Sequence, residues 1–340
     1  MELICNTTEF QIKEPTAVAV GKFDGLHLGH MALLKEILRL KERGLKTAVF
    51  TFDPSPGAYF FSLSIQVSGV YRELMTREEK RRMFEKLGVD YLVEYPFGRE
   101  TAAVTPEDYV NQFLLEKMNA RLIAAGEDVS FGKNGAGDAT LLQEQVKLFN
   151  EGRGGAERAD VKILPKICRN GEEISSTLVR SVLSEGRMEE TTQLLGRPFF
   201  ISGIVSEGNR LGRSLGMPTA NLYPEVQKLL PPNGVYFSKC MILDEEGRDE
   251  GRIFGGITNI GCKPTIAEKE RRISVETTLF DFDEDIYGRQ ICVELLHHHR
   301  IERQFADLEA LKAQMKQDAE ACRQYLADNR IMGRVSEGRG

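Results

Sequence analysis

Thr16-Ala17-Val18-Ala19-Val20-Gly21-Lys22-Phe23-Asp24-Gly25-Leu26-His27-Leu28-Gly29-His30 decides how the first half of this 340-residue chain is read. The apolar run from Thr16 to Val20 reads as a buried strand, and a glycine-rich turn follows it. A helix-period pattern then runs through Leu33, Leu34, Ile37 and Leu38, with Gly44 expected as its C-terminal cap. Strand, glycine-rich turn and helix together make a phosphate-binding geometry. The helix N-terminus presents N–H groups and a partial positive charge, and glycines such as Gly21 and Gly29 let the backbone approach an anion. Two of the five histidines, His27 and His30, sit in this turn as H-x-G-H. They can donate hydrogen bonds to a phosphate whose charge grows in a transition state.

Working outward, the first half alternates strands and helices. Leu45–Phe52 reads as a second buried strand. Thr76–Leu87 reads as a helix opened by a capping box between Thr76 and Glu79 and closed at Gly88. Asp90–Tyr95, Arg121–Gly126 and Val161–Pro165 read as further strands, and Thr105-Pro106 opens another helix. The layout predicts a doubly wound, Rossmann-like α/β domain with a parallel sheet. After Arg197-Pro198 the texture changes to short β-rich runs divided by turn residues: Phe199–Val205, Val235–Leu243, Gly251–Thr258, Ile273–Phe280 and Gln290–Leu296. These predict an antiparallel β-barrel, with an amphipathic helix from about Asp307 to Asn329 packed on it. The expected division is a first domain over 1–185, a second over 186–330 and a tail over 331–340.

Composition narrows the function classes. Hydrophobic content is 41% and net charge is −6, which disfavours broad electrostatic binding to nucleic acid while leaving local nucleotide sites open. No apolar stretch approaches the roughly 20 residues of a membrane helix, and MELICNTTEF does not read as a signal peptide. Six scattered cysteines, without a C-x-x-C pair, fit a reduced cytoplasm rather than a disulfide framework or zinc ribbon. No protein partner is implied.

Further motifs carry chemistry. In Ile174-Ser175-Ser176-Thr177-Leu178-Val179-Arg180, hydroxyls and N–H groups open a helix with Arg180 one turn inside, a second anion-binding element. In Asn209–Leu222, Gly212-Arg213 and Gly216 make a loop suited to phosphate, and the Thr219 hydroxyl with the Asn221 carbonyl can ligate Mg²⁺. Asp24 reads either as a carboxylate capping the core or as a nucleotide- or metal-linked contact. His297-His298-His299 invites a metal reading, but on a strand only the outer two share a side and no ligand completes a tetrahedral set. A polar strand end is expected there.

The ten residues Gly21–His30 resemble the nucleotidyltransferase signature of the bacterial bifunctional riboflavin kinase/FMN adenylyltransferases, or FAD synthetases. The likeness continues in family order. It runs through Thr51-Phe52-Asp53-Pro54-Ser55-Pro56, Gly126-Glu127-Asp128 with Phe131-Gly132-Lys133, the ISST-x-x-R element, the G-R…G-M-P-T-A-N loop, Thr258-Asn259-Ile260-Gly261 and Val275-Glu276-Thr277-Thr278 to Arg300-Ile301-Glu302. Ser55 and Thr278 stand where the family commonly has histidine, and Val129 where it has an aromatic residue. The resemblance implies that the second domain phosphorylates riboflavin with ATP to FMN, and that the first adenylylates FMN to FAD, both with Mg²⁺. It implies nucleotide contacts at Gly21, Phe23, Asp24, Gly29, Ser175, Ser176, Thr177, Arg180, Gly212, Arg213 and Gly216. It implies catalytic roles for His27 and His30, a flavin contact at Asp128, a flavin or phosphate contact at Arg300, and Glu276 as the kinase base. Class I aminoacyl-tRNA synthetases also use an H-x-G-H turn, but ISSTLVR and net acidity fit them poorly. A flavin-binding protein without catalysis would not need His27, His30, Thr219, Asn221 and Glu276 together.

Overall fold

The computed structural model describes residues 1–64, 69–207, 219–264 and 271–331. The chain divides into two compact units, Met1–Val179 and Arg180–Gly340. The division falls inside the helix Ser176–Ser184, a few residues before the expected 185/186 boundary.

In the first unit, β1 (Glu2–Cys5), β2 (Thr16–Val20), β3 (Lys46–Asp53), β4 (Tyr91–Pro96), β5 (Ala120–Gly126) and β6 (Asp160–Leu164) form one parallel sheet in the order β1-β4-β3-β2-β5-β6. From β2 the chain lays β3 and β4 to one side, then crosses to place β5 and β6 on the other. The crevice at the carboxyl ends of β2 and β5 is therefore a topological switch point, where open α/β sheets bind ligands. All five residues of β2 are buried, which explains its unbroken apolar run. Its one polar member, Thr16, is satisfied by donating to the Met118 carbonyl at 2.7 Å. Val18 and Val20 pack in one cluster with Tyr109, Phe113 and Leu114. Ala17 and Ala19 alternate to the opposite face.

The helices are α1 (Leu28–Leu38), α2 (Pro56–Leu63), α3 (Arg77–Lys86), α4 (Arg99–Ala102), α5 (Pro106–Asp108) and α6 (Ala139–Phe149). Helix α1 ends sooner than its pattern suggests. Its C-cap is Arg39, and Gly44 instead closes a separate 3-10 turn, Lys41–Arg43, in left-handed geometry at φ 82°. Thr76 and Glu79 form the expected capping box of α3. Helix α5 runs into a π-helical stretch, Tyr109–Lys117, whose wide turns bury Tyr109, Val110, Phe113, Leu114 and Leu115. Strand β1, α2 and α6 add to the elements read from sequence. The small hairpin β7 (Cys168–Arg169) and β8 (Glu172–Glu173) precedes α7 (Ser176–Ser184), which carries the ISST element.

The second unit takes in the end of α7 and continues with α8 (Met188–Leu195). Its strands β9 (Phe199–Ile204), β10 (Thr219–Leu222), β11 (Gly234–Leu243), β12 (Asp249–Pro264), β13 (Arg271–Leu279) and β14 (Gln290–Arg300) form an antiparallel sheet in the order β10-β13-β12-β11-β14-β9. A bridge between Ser206 and Asn221 links its two edges, so the sheet curls into a barrel. Hydroxyls inside the sheet satisfy one another: Thr258 donates to Ser238 at 2.8 Å and lies 2.9 Å from Thr277. Helix α9 (Leu308–Asp328) packs Cys322 and Leu326 against Phe237, Phe280 and Leu296. The three histidines at the end of β14 are more than a polar strand end. His298 stacks on Tyr236, while His297 and His299 lie against Phe237 on the other face. Burial pushes His298 and His299 below the ordinary imidazole range.

A buried charge cluster ties α3 to the sheet. Glu94 of β4, 5% exposed, accepts from Arg77 Nε at 2.6 Å and from Arg81 Nη2 at 2.6 Å and Nε at 3.0 Å. Arg77 reaches on to Asp53 at 2.8 Å. Glu94→Ala should destabilise the first unit by roughly 2–3 kcal/mol, less than for a fully buried pair because both arginines reach solvent. The check is the urea denaturation midpoint. An unchanged midpoint would mean that Asp53 and Glu78 hold the two arginines unaided.

Candidate active sites

The first site lies in the Met1–Val179 unit, at the carboxyl ends of its strands. A cavity of about 330 Å³ is lined by Gly21, Lys22, His27, Gly29 and His30 after β2, Gly126 and Asp128 after β5, Lys166 and Glu173, and Ser175 and Ser176. Phe50, Phe52, Tyr109 and Phe131 supply apolar walls. Tyr109 and Phe131 stack at 5.1 Å, so aromatic surface is present although position 129 is Val.

The turn that builds this site is held in an unusual backbone. Phe23 at φ 51° and Leu26 at φ 45° are left-handed although neither is glycine, and Gly25 between them is at φ 83°. Such geometry costs on the order of 1–3 kcal/mol per residue and persists only where the surroundings impose it. Here both side chains are fully buried. Phe23 packs on Phe84 and on the edge of the His30 ring. Its side chain is core, so only the backbone at this position can face a nucleotide.

Asp24 resolves in favour of the capping reading. Its carboxylate accepts the Leu74 N–H at 2.7 Å, and its carbonyl accepts the Ser176 hydroxyl at 2.9 Å. Through these two bonds it fixes the turn. The His27 and His30 rings stack with centroids 3.7 Å apart. A Cβ at Gly29 would meet the His27 ring at 3.1 Å, so a side chain there would have to push the ring by a few tenths of an ångström. No side chain caps α1, and its first turn holds no acidic residue. An anion therefore meets a positive helix end flanked by imidazoles.

Ser175 caps α7 by accepting the Leu178 N–H, and Ser176 is tied to Asp24. Both serines line the cavity, and Thr177 is not among its lining residues. Arg180 belongs to the second unit. Lys166 pairs with Glu173 at 2.6 Å on the rim, a hydrogen bond that raises the lysine pKa above its ordinary value. Sequence reasoning missed this pair, since nothing in the local pattern marks it.

The second site, of about 290 Å³, lies in the Arg180–Gly340 unit. Strand register builds it. Asn221 of β10 pairs with Glu276 of β13, Glu276 with Asn259 of β12, Asn259 with Val235 of β11, and Val235 with Arg300 of β14. Directly paired residues point to one face, so five strands present one row. Two residues along, Thr219, Thr278 and Ile257 form a parallel row on the same face. The cavity is lined by most of these residues together with Glu302, Arg303, Phe305, Leu311, Met315 and Asp318. Ser274 donates to Glu276 Oε1 at 3.0 Å, and Asn259 donates to Glu302 at 3.2 Å.

Asn221 lines a smaller adjoining cavity with Thr219 and Tyr287, and its amide N–H₂ donates to the Thr219 carbonyl at 3.2 Å. That contact uses one of the two amide N–H donors and leaves the amide oxygen on the other side of the group. Gly212, Arg213 and Gly216 lie outside the described residues. Asn259 falls within the Thr258–Gly261 motif, but neither it nor Val235 and Ile257 was given a role from sequence, and register is what sets them in this row.

Comparisons with known proteins follow the same division. Residues 9–178 match the family model for FAD synthetase, and residues 195–326 match that for riboflavin kinase. The chain is 32% identical over 325 residues to the bifunctional riboflavin kinase/FMN adenylyltransferase of Bacillus subtilis, covering 94% of this chain and 96% of that protein. It is 34% identical over 316 residues to the protein of the same description from Escherichia coli, covering 92% and 93%. Among solved structures, one described as a macrolide-efflux protein from Streptococcus pneumoniae aligns with a TM-score of 0.77 at 27% identity, covering 95% of this chain and 98% of that one. Among the described residues, no helix here is long and apolar enough to cross a membrane.

Asp24→Ala should free the Leu74 N–H and loosen the turn. Losing a charge-assisted hydrogen bond of this kind should speed exchange of that amide by about tenfold or more. Hydrogen exchange read by NMR checks it. Wild-type protection would mean that burial of Phe23 and Leu26 suffices.

Proposed function

The chain belongs to the bifunctional riboflavin kinase/FMN adenylyltransferase family, and from its two cavities we propose how its residues divide the two reactions. The enzyme phosphorylates riboflavin with ATP to FMN, and adenylylates FMN with ATP to FAD and pyrophosphate. We assign adenylyl transfer to the cavity after β2 and β5, and phosphorylation to the cavity on the Asn221–Glu276–Asn259 row. The observation that carries the second assignment is the register, which sets a carboxylate between two amides on one face.

In the first cavity an FMN phosphate oxygen attacks the α-phosphorus of ATP in line, and pyrophosphate leaves. The protein supplies position and hydrogen-bond donors rather than a covalent intermediate. His27, His30 and the start of α1 face the phosphates from one side, with Ser175 and Ser176 from the other. Asp128 and the Tyr109–Phe131 pair flank the flavin.

In the second cavity Glu276 accepts the proton of the ribityl 5′-hydroxyl as that oxygen attacks the γ-phosphorus of ATP and ADP leaves. The hydrogen bond from Ser274 sets the orientation of the carboxylate. Thr219 and Asn221 offer a hydroxyl and an amide oxygen, hard oxygen donors that fit Mg²⁺. When bound, the ion supplies neutralisation of phosphate charge. The two domains are assigned to 1–185 and 186–330. We infer a reducing, cytoplasmic setting from six free cysteines, of which Cys240 and Cys322 have thiols pushed up to about 12 by burial.

His30→Ala should lower FAD formation from FMN by on the order of 10²–10³ and leave FMN formation near wild type. Chromatography of the flavin products separates the two, and equal loss of both would make the residue structural. Glu276→Gln should abolish ADP release with riboflavin while supplied FMN still becomes FAD. Wild-type kinase turnover in that variant would remove Glu276 as the base.

A further inference from the structure

The guanidinium of Arg300, at the end of β14, is held by a buried carboxylate from the C-terminal helix. Asp318 of α9 is 2% exposed and accepts from Arg300 Nε at 3.2 and 3.1 Å and from Nη2 at 2.7 Å. Gln314 donates to the same carboxylate at 2.6 Å, and His299 lies 3.3 Å from it. Arg300 Nη1 donates to the Ile301 carbonyl at 3.1 Å. A guanidinium has five N–H donors. These contacts occupy Nε and one hydrogen on each terminal nitrogen, so two N–H groups in a fixed plane remain for a ligand in the cavity that Arg300 and Asp318 both line.

The pairing also cancels the charge. Among the described residues, the charged side chains lining this cavity are Glu276, Glu302 and Asp318 against Arg300 and Arg303, one more carboxylate than guanidinium. Such a wall accepts a neutral flavin alcohol and disfavours a dianionic phosphate ester at close range.

We propose that Asp318 is a positioning residue for riboflavin: it orients and neutralises Arg300, so that the kinase site binds its neutral substrate and releases its phosphorylated product. The proposal rests on the reading of this cavity as the riboflavin site. Loss of the carboxylate leaves a freely moving cation at the wall. Riboflavin loses an oriented donor, while the dianionic FMN gains attraction from the uncompensated guanidinium. The two affinities then move in opposite directions, which a general loosening of the fold cannot produce.

The test is steady-state kinetics of ADP release by the full chain, with riboflavin varied and FMN added as competitor. ADP release reports the kinase step alone. Asp318→Asn should raise the riboflavin KM about tenfold, the size of one charge-assisted hydrogen bond, and tighten FMN inhibition by a similar factor. A parallel weakening of both overturns the proposal, as does no change in either. Asp318→Glu keeps the charge and displaces the guanidinium, so riboflavin KM should rise while FMN inhibition stays at the wild-type value. This variant decides the matter if the Asn variant does not fold, and tightened FMN inhibition in it overturns the proposal. Arg300→Gln separates the two levels. If it leaves the riboflavin KM unchanged, the reading of the cavity falls, and the proposal with it. If it raises that KM while Asp318→Asn weakens both ligands together, the proposal alone falls.

Discussion

Asp24 is the point on which the first site depends. One residue joins three segments far apart in the chain: its own turn, the stretch before α3 through Leu74, and the start of α7 through Ser176. Without such a tie a glycine-rich turn has many conformations and its ordering entropy opposes a fixed anion site. The tie is reinforced by burial of Phe23 and Leu26 in a backbone conformation that neither would adopt alone. The stacked histidines and the two serines therefore face one cavity before any nucleotide arrives, which is the preorganisation that charge stabilisation in a transition state requires.

The second unit reaches the same end by another route. Its site is written in side chains along rows of a curled antiparallel sheet rather than in a turn. Cross-strand pairing places Asn221, Glu276 and Asn259 side by side, and the same pairing carries the row to Arg300. A one-residue slip in any ladder would turn part of that row into the opposite face. The buried hydroxyl chain of Ser238, Thr258 and Thr277 helps to specify the register, since a slip would strand polar groups in the core. Helix α9 then closes the cavity and contributes Asp318 from outside the sheet.

The two cavities differ in what they must hold. The first gathers donors at a helix end for phosphate groups, and its acidic members Asp128 and Glu173 are offset by Lys22 and Lys166. The second, among the described residues, sets three carboxylates against two guanidiniums, in keeping with the neutral alcohol proposed as its substrate. One chain thus carries two solutions to phosphoryl chemistry, each matched to the charge of the flavin it receives.

The amino-acid sequence by itself determined the two fold classes and most of their elements. Period-2 and period-3.6 patterns are local, and so are the capping box at Thr76 and the strand-turn-helix order around Gly21. It also marked His27, His30, Ser175, Ser176 and Glu276, because those residues stand within contiguous motifs. Helix α1 was read past Arg39 because its apolar period continues toward Gly44, where a separate turn takes over. Only the tertiary structure decided that Phe23 belongs to the core, that Asp24 binds the chain to itself, and that Thr177 lies off the cavity. The same holds for Asn259, the Lys166–Glu173 pair and Asp318. Each of these depends on partners far away in the chain, brought together by strand register and by the docking of helices, and no local pattern encodes such a meeting.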